Sequence, residues 1–417
     1  MRSLTKYILT FAAAMLAAVS CIYDFNPEFV GQSGHMVIEG DILIGDITTV
    51  TINTTQKLIS SAMDAKIGVD RYMTYGYTVK VIDSDGNETV GSIEGPNQNC
   101  PNDHFEIDTR FLDPSRNYKL EVVDEGSGLM FDGSKIVYTT PVVYSTPWLE
   151  PLRAQKIDSL SWALSESGRN LEFRVSSSGE SGSPYVRWIG RETWEYVTPL
   201  YAYCYYLPAK NSMYEYQNGE NTHYCWNNGS VPDVMVADVS ETSDRSIVDY
   251  RVYSYPRESI KISYLYRVDM IQEALTEEAY KYWKTTSRNT GEIGGLFSSQ
   301  PSEIRGNIVN EKYPDQQVIG FISASVVSKC RFYFDNNGRR IGTYHVEVPE
   351  VNVVNIVDWR RYYDMGYLPF SIHEVELPNG DIITDPNVYD WYPRRCIDCT
   401  SAGGNKAKPS DWPNDHK

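Results

Sequence analysis

Short runs that alternate apolar and polar residues, closed by turn signals, recur along this 417-residue chain and restrict it to a mainly β fold. Met36–Gly40 is followed by a turn at Gly45-Asp46, and Thr49–Asn53 then alternates with period two. Tyr77–Ile82 alternates again and enters Asp83-Ser84-Asp85-Gly86-Asn87-Glu88. That hexad has the carboxylates of a calcium loop but not its remaining ligand positions or flanking helices, so Asp-Gly between alternating runs predicts a hairpin. Further strands are expected at Phe105–Ile107, Tyr118–Val123 and Lys135–Tyr138. Their spacing predicts an immunoglobulin-like β-sandwich over residues 35–145.

Pro141, Pro147 and Pro151 mark 139–156 as a crossing segment. A larger β-rich domain is expected over 157–395, with strands at Leu171–Val175, Tyr185–Ile189, Arg191–Tyr196, Ser259–Tyr266, Val318–Val327, Cys330–Phe334 and Tyr344–Val348. Asp335-Asn336-Asn337-Gly338 is expected to turn the last hairpin. One helix is predicted at about 277–288. Thr276 suits its N-cap, Glu277 and Glu278 suit its positive end, and Tyr280 and Trp283 share a face expected to dock on a sheet. The tail, 396–417, reads as irregular.

The first residues predict the destination of the chain. Arg2 and Lys6 precede an apolar stretch at 7–19, and Ala18-Val19-Ser20-Cys21 closes it. This is a secretory signal over 1–20, too short to span a bilayer. The small residues before Cys21 form a lipobox-like ending, which makes Cys21 the expected lipidation site and 21–34 a tether. Ordinary secretion, with Cys21 incidental, is the alternative. Acidic residues outnumber basic ones, 55 to 38, so nucleic acid is not an expected partner and membrane contact is expected only through the lipid.

Six cysteines follow Cys21: Cys100, Cys204, Cys225, Cys330, Cys396 and Cys399. Exported chains oxidise, and Cys204 with Cys225, which flank an aromatic loop, is the expected disulfide. Cys396-x-x-Cys399 lacks a second half for a zinc site and a thioredoxin-like setting, so a structural role is expected. Tyrosine is abundant, at 32 residues. Tyr201, Tyr203, Tyr205, Tyr206, Tyr214, Tyr216, Tyr224 and Trp226 concentrate in one insertion and are the candidate ligand or partner contacts. Burial of the same rings in the second domain's core is the competing reading.

No catalytic, metal or cofactor site is predicted. The six histidines show no zinc spacing, and no Gly-x-Ser-x-Gly elbow occurs. Glu192 and Glu195 lie among aromatics, but three positions apart on a strand they point to opposite faces.

The ordered set of local patterns resembles a known group. It comprises the lipobox, Met36–Gly40, Tyr185-x-Arg187-Trp188, Glu192–Glu195, Glu273–Thr276 with Ala279-Tyr280-x-Tyr282-Trp283, Gly294–Phe297, Val318–Ser325, and Cys396-x-Asp398-Cys399 with Gly403-Gly404 and Trp412. The group is the Bacteroidetes lipoproteins catalogued as domain of unknown function 4249. The resemblance implies an outer-membrane lipoprotein that accompanies a TonB-dependent transporter, and it implies neither a substrate nor a catalytic residue. The expected function is therefore a non-catalytic, lipid-anchored accessory or binding protein for nutrient capture, with an unknown small ligand. A structural or adhesive surface lipoprotein is the alternative, and a glycan- or peptide-acting enzyme follows it.

Overall fold

Alternation in the sequence becomes alternation in burial: Val50 and Ile52 are enclosed, while Thr49 before them and Thr51 between them are half-buried. The computed structural model describes residues 35–413 apart from 55–72, 75, 94–102, 126–127, 132–133, 138–140, 218–219, 243, 292–305, 337–338 and 340. The expected signal over 1–20, Cys21, the expected tether and Cys100 lie outside the described residues. Strands run as β1 (Met36–Glu39), β2 (Ile42–Ile44), β3 (Ile47–Thr54), β4 (Met73–Thr74), β5 (Tyr77–Asp83), β6 (Glu88–Val90), β7 (Ser92–Ile93), β8 (Asp103–Asp108), β9 (Tyr118–Asp124), β10 (Gly128–Phe131), β11 (Ser134–Val137) and β12 (Val142–Ser145).

Sheet β1-β3-β8-β7 faces sheet β12-β9-β5-β6, the strand order of an immunoglobulin-like sandwich. Ile38, Val50, Ile52, Phe105 and Ile107 from the first sheet meet Val79, Val81, Leu120, Val122 and Tyr144 from the second. Tyr118, at the start of β9, donates its hydroxyl back to the Asp113 carbonyl at 2.7 Å, which makes a tyrosine corner. The expected hairpin joins β5 to β6 and pairs Ile82 with Glu88. Its Asp83 carboxylate accepts the backbone N–H groups of Asp85 and Asn87, so it serves the turn.

The chain then forms β13 (Leu152–Arg153), β14 (Lys156–Leu164), β15 (Asn170–Ser178), β16 (Tyr185–Val197), β17 (Cys204–Leu207), β18 (Ser212–Glu215), β19 (Tyr224–Ser230), β20 (Met235–Asp238), β21 (Ile247–Pro256) and β22 (Leu265–Leu275). Helix α1 (Glu277–Gly291) follows, then β23 (Val309–Asn310), β24 (Ala324–Val326) and β25 (Ser328–Asp335). Sheet β14-β15-β21 packs on sheet β19-β16-β22-β25 around Leu171, Phe173, Val175, Trp188, Tyr266, Val268 and Phe334. The α1 N-terminus is capped as expected, with Thr276 Oγ1 accepting the Ala279 N–H at 3.2 Å. Its aromatic face does dock on the sheet, where Tyr280 stacks on Tyr185 at 4.8 Å between centroids.

The expected boundary after 145 divides the sequence but not the core. Strand β23 pairs with β12, and β24 lies parallel to both β2 and β13. Ile308, Val318, Ile322 and Ala324, expected in the second domain, fill the first sandwich. The physical reason is that β1 to β12 leave one end of their apolar interior uncovered until these residues return. Met36–Asn53 and Asp70–Lys417 form one compact unit.

Strand β26 (Asn352–Asn355), helix α2 (Trp359–Asp364), β27 (Tyr367–Glu376) and β28 (Ile382–Pro393) build a smaller sheet of order β26-β28-β27. Its core joins Val354, Trp359 and Trp391 to Tyr206. The Tyr344–Val348 run forms no strand, because Asn336 accepts the N–H groups of Ile341 and Gly342 and turns the chain elsewhere. The tail is also less irregular than expected. Helix α3 (Arg394–Ile397) and a 3-10 turn at Cys399–Ala402 bury Cys396, Ile397 and Cys399, and Trp412 is buried farther on.

Candidate functional site

Strand alternation divides the aromatic insertion. In the β17–β18 hairpin, Tyr205 pairs with Tyr214 and Tyr206 with Met213. Cys204 and Tyr206 face inward, and Tyr206 packs against Trp359, Tyr363 and Trp391. Tyr203 and Tyr205 take the other face. The Tyr203 N–H donates to the Phe370 carbonyl at 2.8 Å, which fixes the hairpin to the edge of β27.

The outward rings form two contact groups, one around Tyr203 and one around Tyr205. Tyr201, Tyr203 and Tyr214 are 43%, 59% and 37% exposed, high values for large apolar rings. Tyr201 meets Tyr203 at 5.6 Å, Tyr203 meets Phe370 at 5.7 Å, and Tyr205 stacks on Tyr214 at 5.5 Å and leans on Tyr216 at 5.0 Å. Phe370 was missed by sequence reasoning. Its signal was the Leu368-x-Phe370-x-Ile372 alternation, which lies far from the insertion in sequence. Of the eight candidates, Tyr206 and Trp226 are buried, and Tyr224 packs with Trp226 beneath the C-terminal tail.

The expected Cys204–Cys225 disulfide is corrected: Cys225 is joined to Cys399, with Cα atoms 5.7 Å apart. Cys225 lies opposite Tyr196 in the β16–β19 ladder and faces inward toward the 3-10 turn of the tail. Cys204 belongs to the separate hairpin, where it is a buried free thiol pushed up to about 12 by desolvation and by the Glu215 and Asp390 carboxylates. Cys399 has the structural role expected of the Cys-x-x-Cys pair, while Cys396 keeps a buried free thiol.

Glu192 and Glu195 take opposite faces of β16, as their spacing predicts. Glu192 points into the sandwich, where it accepts the Tyr255 and Tyr266 hydroxyls at 2.8 and 3.1 Å and pairs with the Lys261 ammonium. Burial first, and the Glu192 charge second, push the Tyr255 phenol up. Glu195 points outward beneath the tail, and the Trp412 indole N–H donates to it at 2.6 Å. Burial pushes Glu195 up to about 7, against the opposing effect of that hydrogen bond. A cleft of about 540 Å³ between β20 and β21, lined by Asp233, Tyr250, Arg251 and Tyr253, includes neither glutamate.

A third buried group lies farther along the outer face of β16. Arg187 sits directly across from Glu273 on β22 and pairs with both Glu273, at 2.9 Å, and Asp41. The Trp283 ring covers its guanidinium at 3.6 Å. One cation serves two enclosed carboxyls. Burial and the Asp41 charge therefore raise Glu273, and burial raises Asp41 against the pull of Arg187.

These positions include several that the sequence patterns singled out, namely Arg187, Glu195, Glu273, Trp283 and Trp412. The family model of a domain of unknown function, DUF4249, matches residues 22–331, well over half of the chain. The chain belongs to that family. No curated protein matches this DUF4249 member. The matched stretch takes in the β17–β18 hairpin and ends within β25, so β26 to β28 and the tail lie beyond it.

Proposed function

We propose that this DUF4249 protein is a lipid-anchored, non-catalytic accessory or binding protein of the outer membrane, assisting a TonB-dependent transporter in nutrient capture. The observation that carries the reading is the outward aromatic surface of Tyr201, Tyr203, Tyr205, Tyr214 and Phe370. Tyrosine buries a large amphipathic area at low entropic cost, and such rings held on a hairpin suit recognition. The lipobox-like Ala18-Val19-Ser20-Cys21 supports the anchor, since a lipidated Cys21 would tether an acidic body that has little attraction to an anionic membrane. Glu192 and Glu195 are each engaged by internal donors on opposite faces, which favours binding over paired-carboxylate chemistry.

Metabolic labelling with a fatty acid, followed by membrane fractionation, tests the anchor. Wild type is expected to be labelled and membrane-bound, and Cys21→Ser unlabelled and either soluble or uncleaved. Unlabelled wild type in the soluble fraction would sink the reading. Mild detergent extraction tests the partnership, with a transporter expected to copurify at stoichiometric level and isolation of the protein alone counting against it.

A further inference from the structure

The outer face of the β19-β16-β22-β25 sheet carries a built pocket, and the chain's own tail fills it. Glu195 lies on one rung with Trp226 on β19 and Leu265 on β22, and Arg267 lies across from Tyr333 of β25. Glu195 is fully enclosed, and Trp226 and Leu265, with Tyr224, Tyr264 and Tyr333 packed against them, form the aromatic slot that receives Trp412. Into this space drops Trp412, the buried member of an otherwise largely exposed segment running from Asn405 to Pro413. Its indole N–H meets Glu195 Oε2 at 2.6 Å, and its ring lies near Tyr333 at 6.2 Å and below Arg267 at 5.4 Å. The preceding carboxylate, Asp411, bridges Arg267 at 2.9 Å and Arg331 at 2.8 Å.

The segment is fastened at its root and plugged at its tip. Cys399 is bonded to Cys225, and Asn405 exchanges two backbone hydrogen bonds with Trp226, both 2.8 Å. Among the described residues, no backbone–backbone hydrogen bond joins 406–413 to the sheet beyond that point. What holds the tip is side-chain recognition: an N–H donor in an aromatic slot with a carboxyl at its base, and a carboxylate between two arginines.

We infer that this pocket is a displaceable recognition site for a peptide in which an acidic residue precedes tryptophan, occupied in cis by Asp411-Trp412. A partner segment of that chemistry reaches the site by displacing the strap, and the Cys225–Cys399 bond keeps the strap at hand to close again. The site is separate from the Tyr201–Tyr214 surface and does not depend on its role.

The test uses the full chain carrying Asp411→Ala and Trp412→Ala together, with a fluorescein-labelled peptide of residues 405–413 as probe. The double variant is expected to bind the peptide about tenfold or more tightly than wild type, because the cis occupant no longer competes. A peptide with Ala in place of Trp412 is expected to bind neither protein. Equal binding to both proteins overturns the inference, as does no binding to a double variant that retains the disulfide and its β-type circular dichroism. Should that variant not fold, tryptic cleavage of wild type after Lys406, where Ala407 follows, supplies the readout. Excess unlabelled peptide of residues 409–413, which offers trypsin no Lys or Arg of its own, is expected to accelerate it, and an unchanged rate overturns the inference.

Discussion

Cys225 and Cys399, separated by 174 residues in sequence, are joined by a disulfide that fixes the tail to the second sandwich. Closing so long a loop restricts the unfolded chain strongly, and such bonds contribute about 2–5 kcal/mol. Cys399→Ser is expected to lower stability by that order, and Cys204→Ala to leave the disulfide unchanged. Non-reducing peptide mapping and urea denaturation with and without reductant check both. A Cys204–Cys225 peptide in the map would refute the pairing.

Gly403 and Gly404 at the root of the strap do different jobs. Gly403 ends the 3-10 turn at φ +80, a left-handed conformation that side chains rarely adopt. A Cβ on Gly404 would collide with the Tyr196 hydroxyl and with Cys225 Cβ, in contact with the disulfide itself. Gly403→Ala is expected to cost about 1 kcal/mol, and Gly404→Ala more, with a faster tryptic cut after Lys406. Equal thermal shifts for the two variants would contradict this division.

The enclosed Glu195 predicts a pH dependence whose sign follows from linkage. Its folded value is about 7, against an ordinary 4.5. Between these values the folded chain holds a proton that the unfolded chain has released, so this contribution is full below 4.5 and is lost as pH rises through 7. The loss is at most about 3–4 kcal/mol. Glu195→Gln removes it, so the variant's urea midpoint is expected to fall less than that of wild type between pH 5 and pH 8. Parallel pH profiles would place the effect elsewhere.

The chain's local order was legible wherever burial follows sequence period. Val50 and Ile52, the Asp83–Asn87 hairpin and the Thr276 cap all follow from neighbours a few residues away. Opposite faces for Glu192 and Glu195 were legible for the same reason. Ser259–Ile262 alternates like a strand, yet Ser259 accepts the Lys261 N–H and caps a 3-10 turn, because the chain must reverse between β21 and β22 there. Pairings across long separations left no local trace. Cys225 with Cys399, Ile322 with the first core, and Phe370 beside Tyr203 depend on which strands meet. Sequence proximity favoured Cys204 as the partner of Cys225, but Cys204 faces inward in a different hairpin.

Arg187 is expected to be the least replaceable residue on the outer face of β16. Arg187→Ala leaves the Asp41 and Glu273 carboxyls enclosed without their cation, a change that costs about 3–5 kcal/mol when a buried pair is broken. Arg187→Lys recovers little, because a point charge neither spans both carboxyls nor lies flat on Trp283. Glu273→Gln removes the carboxyl whose ionisation burial already opposes, and is expected to stay within about 1 kcal/mol. Urea denaturation at pH 7 ranks the three, and a mild Arg187→Ala would refute the account.

The two faces of the β17–β18 hairpin separate recognition from stability. Tyr203 is 59% and Tyr214 37% exposed, and substitutions at surface positions alter stability by about 0.5 kcal/mol or less. Tyr206, one residue from Tyr205, is enclosed by Trp359, Tyr363 and Trp391 and donates its hydroxyl to Asn211 Oδ1 at 2.7 Å. Replacing its ring empties a core position and is expected to cost about 3 kcal/mol or more. Tyr203→Ser with Tyr214→Ser is therefore expected to keep the wild-type melting temperature while reducing copurification of the proposed transporter. Tyr206→Ser is expected to lower the melting temperature. If the double variant melts early, the outward rings belong to the core after all. If it melts normally and the partner still copurifies in full, the partner contact lies on another surface.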